Sequence, residues 1–319
     1  MENYTVSQLQ KDMRLEGFLL VRSAEKRKDV KGNDYVDMNL ADRTGEINCK
    51  IWNWDASVEI PEAGKPVKVR GTVQEYNGRL QLRIEKWRMA TEEDPVDMNT
   101  LVPSAPRSAA DMMKEIRDTV AGFSSDKLRR LTEGMLEEAG AVLNWFPAAQ
   151  RMHHAERSGL LHHTTDMLRM ARAALEVYPW LNRDLLLAGV IIHDLGKIDE
   201  LKSDEGGNVT DYTRDGQLLG HLVRGITNLN RVADRLNIHG ETVVLLEHML
   251  LSHHGEAEYG SPKAPMFPEA EALHWIDMMD ARMNTIKSAA DKTPEGAFSE
   301  KIFSLDRRVY HPMYTEDAK

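Results

Sequence analysis

Residues 185–197 read LLLAGVIIHDLGK, in which eight apolar residues precede His193 and Asp194. An apolar run that is followed at once by polar residues predicts a buried helix. The helix would end by presenting an imidazole and a carboxylate in a dry interior, where an unpaired charge is costly and metal coordination is one of the few ways to offset it. This stretch therefore predicts a helical core with a metal site at the end of its central helix.

Further metal-binding side chains stand on other predicted helices of the same half. They are His163 in GLLHHTTDM, His221 in LLGH, His253 and His254 in LLSHHG, and Asp277 in LHWIDMMD. Asp280, three residues after Asp277, is an alternative ligand. Imidazole and carboxylate together suit Mn, Fe, Co, Ni or Zn, with the geometry deciding among them.

The two halves of the chain differ in their hydrophobic patterns. After Asp111, apolar residues recur at spacings of three and four, which predicts an all-helical domain over 111–319. Before Met89, five short stretches rich in apolar residues are separated by Gly, Asn and Asp, and several alternate with a period of two. Five short strands have the size of a small closed β-barrel over 1–90. Residues 91–110 contain three prolines and predict an extended linker.

The composition is that of a soluble two-domain chain, with 319 residues of which 41% are hydrophobic and 29% charged. The apolar run of 185–192 is far shorter than the roughly 20 residues of a membrane-spanning helix, so we expect no membrane association. The N-terminus has no apolar core of the kind a secretory signal needs. The single cysteine, Cys49, excludes an internal disulfide and fits a cytoplasmic protein.

Charge is divided unevenly along the chain. The net charge is −10, made up of +2 over residues 1–90 and −12 over the remainder. This balance argues against a protein that coats nucleic acid by bulk electrostatics. It leaves room for a mildly basic barrel that binds a single strand.

The order of these histidines and aspartates along the chain is similar to that of the HD superfamily of metal-dependent phosphohydrolases. The stretches HHAERSGLLHHTTDM, IIHDLGKIDEL and LLSHHGEAEYGSPKAPMFPEAEALH resemble the YhaM-type 3′ to 5′ exoribonucleases. In that family an OB-fold domain precedes the HD domain, and the resemblance covers nearly the whole chain. It implies a multidomain α and β fold, with a small five-stranded OB-fold barrel followed by an all-α HD domain.

The resemblance also implies a ligand set. One metal ion would be held by His163, His193, Asp194 and Asp277. Asp194 would bridge to a second ion, whose site would be completed by His221, His253 and His254. Because one-metal members of the superfamily exist, one or two divalent ions per site are expected, and the resemblance favours Mn²⁺.

The implied reaction is hydrolysis of single-stranded RNA from its 3′ end, with release of nucleoside 5′-monophosphates. Two cations about 3.5 to 4 Å apart can lower the pKa of a water, fix the phosphate for in-line attack and stabilise the departing oxygen. Single-stranded DNA stays open as a second substrate. Family members assemble as oligomers, so the resemblance implies a homo-oligomer.

Two further residues join Asp194 as catalytic candidates. Lys197 lies on the same helix face as His193 if the helix continues, and its ammonium could then contact the scissile phosphate. Otherwise it is a solvated lysine beyond Gly196. His154 matches one of the paired histidines often seen before the first ligand in the family, and it either contacts substrate or is an ordinary hydrogen-bonded histidine.

The remaining polar candidates receive weaker expectations. Five histidines are expected to be structural or at the surface, namely His162, His239, His248, His274 and His311. Asp166 and Asp199 are expected to be exposed. Ser252, Arg307 and Arg308 are weak candidates for phosphate contacts.

The barrel has the residues that an OB-fold uses to bind single strands, which are basic loops and aromatic faces. The basic residues are Lys26, Arg27, Lys28 and Lys31, which are predicted to lie in the loop between the first two strands. The aromatic residues are Tyr35, Trp52, Trp54, Tyr76 and Trp87, of which two or three are expected in the barrel core. Trp52 and Trp54 are two residues apart, which predicts one shared strand face and makes them stacking candidates.

Two other functions remain open. The chain could be an HD phosphohydrolase that acts on free nucleotides or cyclic dinucleotides, with the barrel as a regulatory module. Against cyclic dinucleotides, the segment after His254 reads GEAEYGSP instead of a GYP-type pattern. The chain could also be a non-catalytic nucleic-acid-binding adaptor, although every expected ligand position is occupied.

Overall fold

The computed structural model describes residues 4–29, 32–52, 54, 59–76, 78–149 and 154–313. The chain divides into two compact units, Met1–Ser104 and Ala105–Lys319. Among the described residues, no helix combines the length and the apolar character that a membrane crossing needs.

The first unit is a closed barrel of five strands. They are β1 (Arg14–Lys28), β2 (Asp34–Asp42), β3 (Gly45–Trp52), β4 (Pro66–Tyr76) and β5 (Arg79–Met89). The order around the barrel is β1-β2-β3-β5-β4, in which β3 and β5 pair in parallel and the other pairs are antiparallel. The predicted five-stranded barrel is confirmed.

Alternation along the strands fills the barrel interior. On β2, Val36, Met38 and Leu40 are fully buried, whereas the residues between them are half-buried. Gly71 lies beside a bulge in the β4–β5 pairing, and a Cβ there would come within 2.4 Å of the Arg83 carbonyl oxygen. Burial raises the pKa of Cys49 to about 12, so its thiol is an inert core group.

Part of the segment that was predicted as an extended linker is ordered against the barrel. Residues Met98–Leu101 form the one-turn helix α1, and Leu101 and Val102 are buried in a cluster with Leu20 of β1. The expectation of an extended chain is wrong here, because two buried apolar side chains favour a packed turn. Two apolar residues are too few to produce a periodicity that the sequence could reveal.

The second unit is built from helices. They are α2 (Ala109–Ala121), α3 (Asp126–Ala139), α4 (Gly159–Val177), α5 (Arg183–Ile192), α6 (Lys197–Glu200), α7 (Arg214–Leu236), α8 (Glu241–Ser252) and α9 (Pro268–Asp291). The predicted helical domain is confirmed. A short hairpin, β6 (Leu201–Ser203) with β7 (Val209–Tyr212), is inserted between α6 and α7.

Helix α5 lies at the centre of this unit. Every residue from Asp184 to Ile192 is buried, and the helix contacts α2, α3, α4, α8 and α9. The buried Asp184 carboxylate accepts hydrogen bonds from the backbone N–H groups of Ser124 and Ser125, at 2.6 and 2.9 Å. Since these bonds compensate its burial, the charge can start the helix inside the core. The apolar run of 185–192 therefore forms the buried helix that the sequence predicted.

Candidate metal centre and nucleic-acid interface

The C-terminal end of α5 presents His193 and Asp194 to the interior. Their exposed fractions are 1% and 3%. The helix ends at Ile192 with His193 as its C-cap, and Lys197 begins the separate one-turn helix α6. The condition under which Lys197 would share a helix face with His193 is therefore not met, because the chain turns at residues 193–196. Gly196 allows this segment to pack closely against the backbone of His221, since a Cβ there would lie 2.2 Å from the His221 carbonyl oxygen.

The two carboxylate oxygens of Asp194 face two different groups of side chains. Oδ2 lies 3.4 Å from His193 Nε2 and 3.7 Å from His163 Nε2. Oδ1 lies 3.6 Å from both His221 Nε2 and His253 Nε2. We call these residues, together with Asp277 and His254, the metal centre.

Asp277 and His254 complete the two groups. Asp277 Oδ1 lies 3.3 Å from His163 Nε2, on the Oδ2 side of Asp194. The His254 ring lies 4.3 Å from that of His253 and 5.1 Å from that of His221, between ring centroids. The structure thus brings together all seven side chains that the sequence resemblance assigned to metal binding, with Asp194 between the two subsets.

Backbone carbonyls orient two of the histidines. The Nδ1–H of His193 donates to the Val190 carbonyl at 2.9 Å, and the Nδ1–H of His253 donates to the Leu250 carbonyl at 2.9 Å. Because a carbonyl can only accept, the proton of each neutral ring lies on Nδ1. The Nε2 lone pair of each ring therefore faces Asp194.

Carboxylates orient the other two histidines of this set. Asp280 accepts from His163 Nδ1 at 2.6 Å, and Glu200 accepts from His221 Nδ1 at 2.8 Å. A carboxylate on the far nitrogen fixes the ring and raises its basicity as a ligand, which is common around protein-bound metals. Asp280 therefore lies behind His163, and Asp277 is the residue that enters the centre.

Three buried atoms of the centre make no hydrogen bond among the described residues. They are Asp194 Oδ1, His221 Nε2 and His253 Nε2. An acceptor left unsatisfied in the interior costs free energy. A divalent cation on these atoms would satisfy them, and imidazole with carboxylate is a suitable donor set. The residues present therefore fit a divalent metal.

The electrostatics of the centre also favour a cation. Burial lowers the pKa of His253 to about 3, so the ring is a neutral ligand. Burial opposes ionisation of Asp194, but Lys197 and His193 outweigh it and hold the pKa of this carboxyl well below its usual range. Burial likewise lowers the pKa of His163, yet the hydrogen bonds to Asp277 and Asp280 prevail and raise it to about 10. Negative charge therefore dominates around His163, which attracts a proton or a metal ion to Nε2.

Lys197 and His154 lie beside the centre. The Lys197 ammonium is 2.6 Å from Asp194 Oδ2, and its side chain is 12% exposed, so it is not the solvated lysine that the sequence left open. His154 is buried, and its Nε2 is 2.8 Å from Asp280 Oδ2. Asp280 thus accepts from both His154 and His163.

Several other expectations need correction. Asp166 and Asp199 are half-buried instead of exposed, because Asp166 pairs with His162 and Asp199 accepts from Asn228. His162 is not among the residues of the metal centre, and its Nδ1 lies 2.8 Å from Glu156 Oε1. His153 and Lys31 lie outside the described residues.

Two of the weak phosphate candidates donate to backbone carbonyls, and the third is at the surface. Ser252 and Arg308 donate to the backbone carbonyls of His248 and Ser299, and Arg307 is exposed. The remaining histidines are outside the centre, with His274 donating to the His253 carbonyl at 2.8 Å. His239 is exposed, as its expected surface position requires.

Sequence reasoning missed Glu200 and Glu156. Glu200 follows HDLGKID, seven residues after His193, and its partner His221 is 21 positions away. Glu156 lies in the quoted stretch HHAERSGLL. A carboxylate near a histidine-rich motif is the only signal that the sequence offers for either, since both pairings depend on the tertiary fold.

On the barrel, Tyr35, Lys50 and Trp52 form a surface that we call the aromatic face. Tyr35 of β2 and Trp52 of β3 are cross-strand partners, with ring centroids 4.8 Å apart. The Lys50 ammonium lies 5.3 Å from the Tyr35 ring and 5.6 Å from the Trp52 ring. Trp52 is 52% exposed. A half-exposed indole beside a cation can stack on a base.

Trp54 does not share this face. It is buried in the barrel core and stacks on Trp87, with 5.5 Å between centroids. The expectation of one shared face is wrong because β3 ends at Trp52, and the alternation of side chains applies only within a strand. The expectation that two or three of the aromatic residues serve the core agrees with Trp54 and Trp87.

The basic residues are on a strand instead of in a loop. Lys26, Arg27 and Lys28 are the last residues of β1, which is longer than expected. Lys26 pairs with Asp34 at 2.8 Å, and Arg27 pairs with Glu25 at 2.9 Å. These pairs neutralise part of the predicted positive charge, so only Lys28 of the three is exposed with no ion pair among the described residues.

Comparison with known proteins finds a family model that matches the barrel and relatives that match nearly the whole chain. The family model for the OB-fold nucleic acid binding domain matches residues 20–90. The 3′-5′ exoribonuclease YhaM of Geobacillus sp. strain WCH70 is 41% identical over 302 residues, covering 93% of this chain and 92% of the relative. The chain belongs to the YhaM family. The 3′-5′ exoribonuclease YhaM of Bacillus subtilis strain 168 is 38% identical over 93% of this chain and 94% of the relative.

Other members of the YhaM family match as well. The YhaM protein of Listeria monocytogenes serotype 4b strain CLIP80459 is 40% identical, covering 93% of this chain and 95% of the relative. Among solved structures, the second OB-fold domain of replication protein A from Methanococcus maripaludis aligns with 30% of this chain and 100% of that domain, at 22% identity and a TM-score of 0.24. That similarity is too weak to bear on function.

Proposed function

We propose that this chain is a metal-dependent exonuclease that degrades single-stranded RNA from the 3′ end and releases nucleoside 5′-monophosphates. The observation that carries the proposal is Asp194, whose two carboxylate oxygens each face a separate pair of imidazole Nε2 atoms. A bridging carboxylate between two nitrogen-rich sites is what a two-metal phosphodiesterase needs. The 3′-5′ exoribonuclease activity for which the YhaM relatives are named supports the same reaction.

The ligands divide into two sets around Asp194. His163, His193 and Asp277 would join Asp194 around one ion, and His221, His253 and His254 would join it around the other. Bound divalent cations, of which Mn²⁺ suits these donors, would supply a water of lowered pKa and positive charge for the phosphate oxygens. The ordering of the four rings by Nδ1 hydrogen bonds keeps their Nε2 lone pairs aimed inward without further rearrangement.

The residues around the centre have their own tasks. Lys197 holds a positive charge 2.6 Å from Asp194, at the partly exposed side of the cluster, where its ammonium can meet a phosphate oxygen. His154 acts through Asp280 on His163, since Asp280 accepts from both rings. His154 is therefore a positioning residue in this proposal.

The barrel would hold the strand through its aromatic face. Trp52 and Tyr35 offer ring surfaces on which bases stack, and Lys50 adds a charge beside them. Stacking is available to RNA and DNA alike, so single-stranded DNA is a second substrate to be tested. Homo-oligomerisation and a cytoplasmic location remain predictions, which the native mass and cell fractionation would check.

The test uses a 5′-labelled single-stranded RNA and the metal-stripped full chain, with and without Mn²⁺. We expect a ladder that shortens from the 3′ end only when Mn²⁺ is present, with nucleoside 5′-monophosphates as products. Asp194→Asn should abolish the ladder, whereas Asp234→Asn, an exposed carboxylate of the same unit, should leave it unchanged. If the RNA stays intact while the protein hydrolyses free nucleotides, the exonuclease proposal is wrong and the phosphohydrolase alternative replaces it.

A further inference from the structure

A second group of metal-binding side chains lies next to the metal centre but shares no ligand with it. It consists of His154, Glu156 and His162, and we call it the triad cluster. His162 Nδ1 is 3.1 Å from His154 Nδ1 and 2.8 Å from Glu156 Oε1, while His154 Nδ1 is 3.8 Å from the same oxygen. Three donor atoms from three residues therefore converge on one small space.

The other edge of each ring is already bonded to a carboxylate. His154 Nε2 is 2.8 Å from Asp280 Oδ2, and His162 Nε2 is 3.2 Å from Asp166 Oδ2. Because a carboxylate can only accept, the ring proton of each neutral imidazole lies on Nε2. Both Nδ1 atoms then face each other and the Glu156 carboxylate, and the Asn284 side-chain N–H also approaches His154 Nδ1, at 3.4 Å.

Three acceptor atoms this close together attract a positive charge, which either a proton on His162 or a metal ion can supply. A single proton can bridge only one pair of these atoms at hydrogen-bond length, whereas one metal ion contacts all three. Ligands that lie about 2.1 Å from one ion are about 3 to 3.4 Å apart, which is the middle of the range found here. The carboxylates on the outer nitrogens are the partners that metal-bound imidazoles usually have.

We propose that His154, Glu156 and His162 bind a further divalent cation, separate from the ions of the metal centre. Two imidazole nitrogens and one carboxylate form a donor set that zinc accepts readily, with water completing the coordination. The side chains are 1%, 23% and 14% exposed, respectively, so the site is enclosed on one side and open to water through Glu156.

The geometry gives this ion a structural task. His154 and Ser158 have positive φ angles of 51° and 62°, a backbone region that side chains rarely adopt, in the loop that leads into α4. Coordination of His154 and His162 by one ion would hold that loop against α4. It would also fix Asp280 through His154, and thereby the orientation of His163. The ion is then a positioning element that touches no substrate.

This inference does not depend on the exonuclease proposal, because it concerns metal binding alone. The test measures zinc per chain by mass spectrometry, after the metal-stripped full chain is dialysed against Zn²⁺. Glu156→Ala and His162→Ala should each bind one zinc ion fewer than the wild type. Glu176→Ala, which removes an exposed carboxylate from the same helix α4, should bind the wild-type number. Asp194→Ala should still retain the zinc of the triad cluster.

Crystals of the full chain grown with Zn²⁺ provide a measurement that needs no variant. An anomalous difference map at the zinc edge should show a peak between His154 Nδ1, His162 Nδ1 and Glu156. Equal zinc content in the wild type and Glu156→Ala would overturn the proposal. A map with peaks at Asp194 but none in the triad cluster would also overturn the proposal. That result would mean that a shared proton, and not a metal ion, occupies the triad cluster.

Discussion

The metal centre and the aromatic face are constructed in opposite ways. In the metal centre, histidines and carboxylates are withdrawn from water, and the rings of His163, His193, His221 and His253 are each fixed by a hydrogen bond at Nδ1. On the aromatic face, Trp52 is half exposed, and its neighbours are a ring and a flexible lysine. The side chains of the metal centre are therefore held in place, whereas the aromatic face can adapt to different bases.

Under the proposed function, this difference separates cleavage of RNA at the metal centre from binding of RNA at the aromatic face. A reaction at phosphorus needs ligands held in place before the substrate arrives, since movement during the reaction costs free energy. A surface that releases and rebinds a shortening strand needs moderate contacts without base specificity, and stacking provides these. Changes in the two places should therefore have effects of different kinds and different sizes.

Removal of metal should produce the largest effect. Dialysis against a chelator should reduce the rate of RNA cleavage on the order of 10³-fold or more, because Asp194 Oδ1 and two Nε2 atoms then lose the cation that satisfies them. Binding of RNA at the aromatic face should change little. Cleavage rate and RNA affinity measured on the same sample check this, and a parallel loss of both would break the comparison.

A change of Glu200, which bonds the outer nitrogen of His221, should reduce activity less than removal of metal does. Glu200→Gln weakens the hydrogen bond that orients His221, and such changes typically lower metal affinity by about 10- to 100-fold. We expect a higher Mn²⁺ concentration for half-maximal activity, with the maximal rate nearly restored at saturation. Glu247→Gln, which alters a half-buried carboxylate bonded to Asn230, serves as the control and should match the wild type.

Trp52→Ala should weaken RNA binding by about 1 to 3 kcal/mol, since one stacking surface is lost. Fluorescence anisotropy of a labelled oligonucleotide gives the affinity. Trp180→Ala removes a more exposed indole from the helical unit and should leave the affinity unchanged. Trp54→Ala should instead reduce the free energy of unfolding by about 3 to 5 kcal/mol, because that indole fills the barrel core.

Lys50→Ala should have the smallest effect. A cation beside exposed rings contributes about 0.5 to 1 kcal/mol, so affinity should fall only a few-fold. If Lys50 also contacts a phosphate, the slope of log affinity against log salt should become shallower by about 0.7. Affinities measured across a salt series would reveal both effects, and an unchanged slope would remove Lys50 from the phosphate path.

The sequence predicted the helical unit better than it predicted the binding face. The run from Leu185 to Ile192 could only be buried, and the histidine and aspartate after it had to be compensated, so burial alone indicated the centre. The partition of the other ligands around Asp194 came from family resemblance, because residues on five helices meet only in the tertiary fold. Glu200 and Glu156 escaped notice for the same reason.

On the barrel, predictions from local sequence patterns were wrong at the ends of two strands, β3 and β1. Period-two alternation placed Trp54 beside Trp52, but β3 stops between them. The basic cluster was assigned to a loop, although β1 extends through Lys28 and pairs with Asp34. Strand ends are set by pairing with a neighbour, which a single stretch of sequence does not encode.

The central claim is that the metal centre cleaves RNA and that the aromatic face binds it. One paired measurement tests this claim most directly. Single-turnover cleavage and equilibrium binding of the same RNA would be measured for Asp194→Asn and Trp52→Ala. We predict that Asp194→Asn loses cleavage and keeps its affinity, and that Trp52→Ala loses affinity but cleaves at the wild-type rate when saturated. Cleavage by Asp194→Asn within about tenfold of the wild-type rate would contradict the account, since about 1.4 kcal/mol is too little for the loss of a bridging ligand.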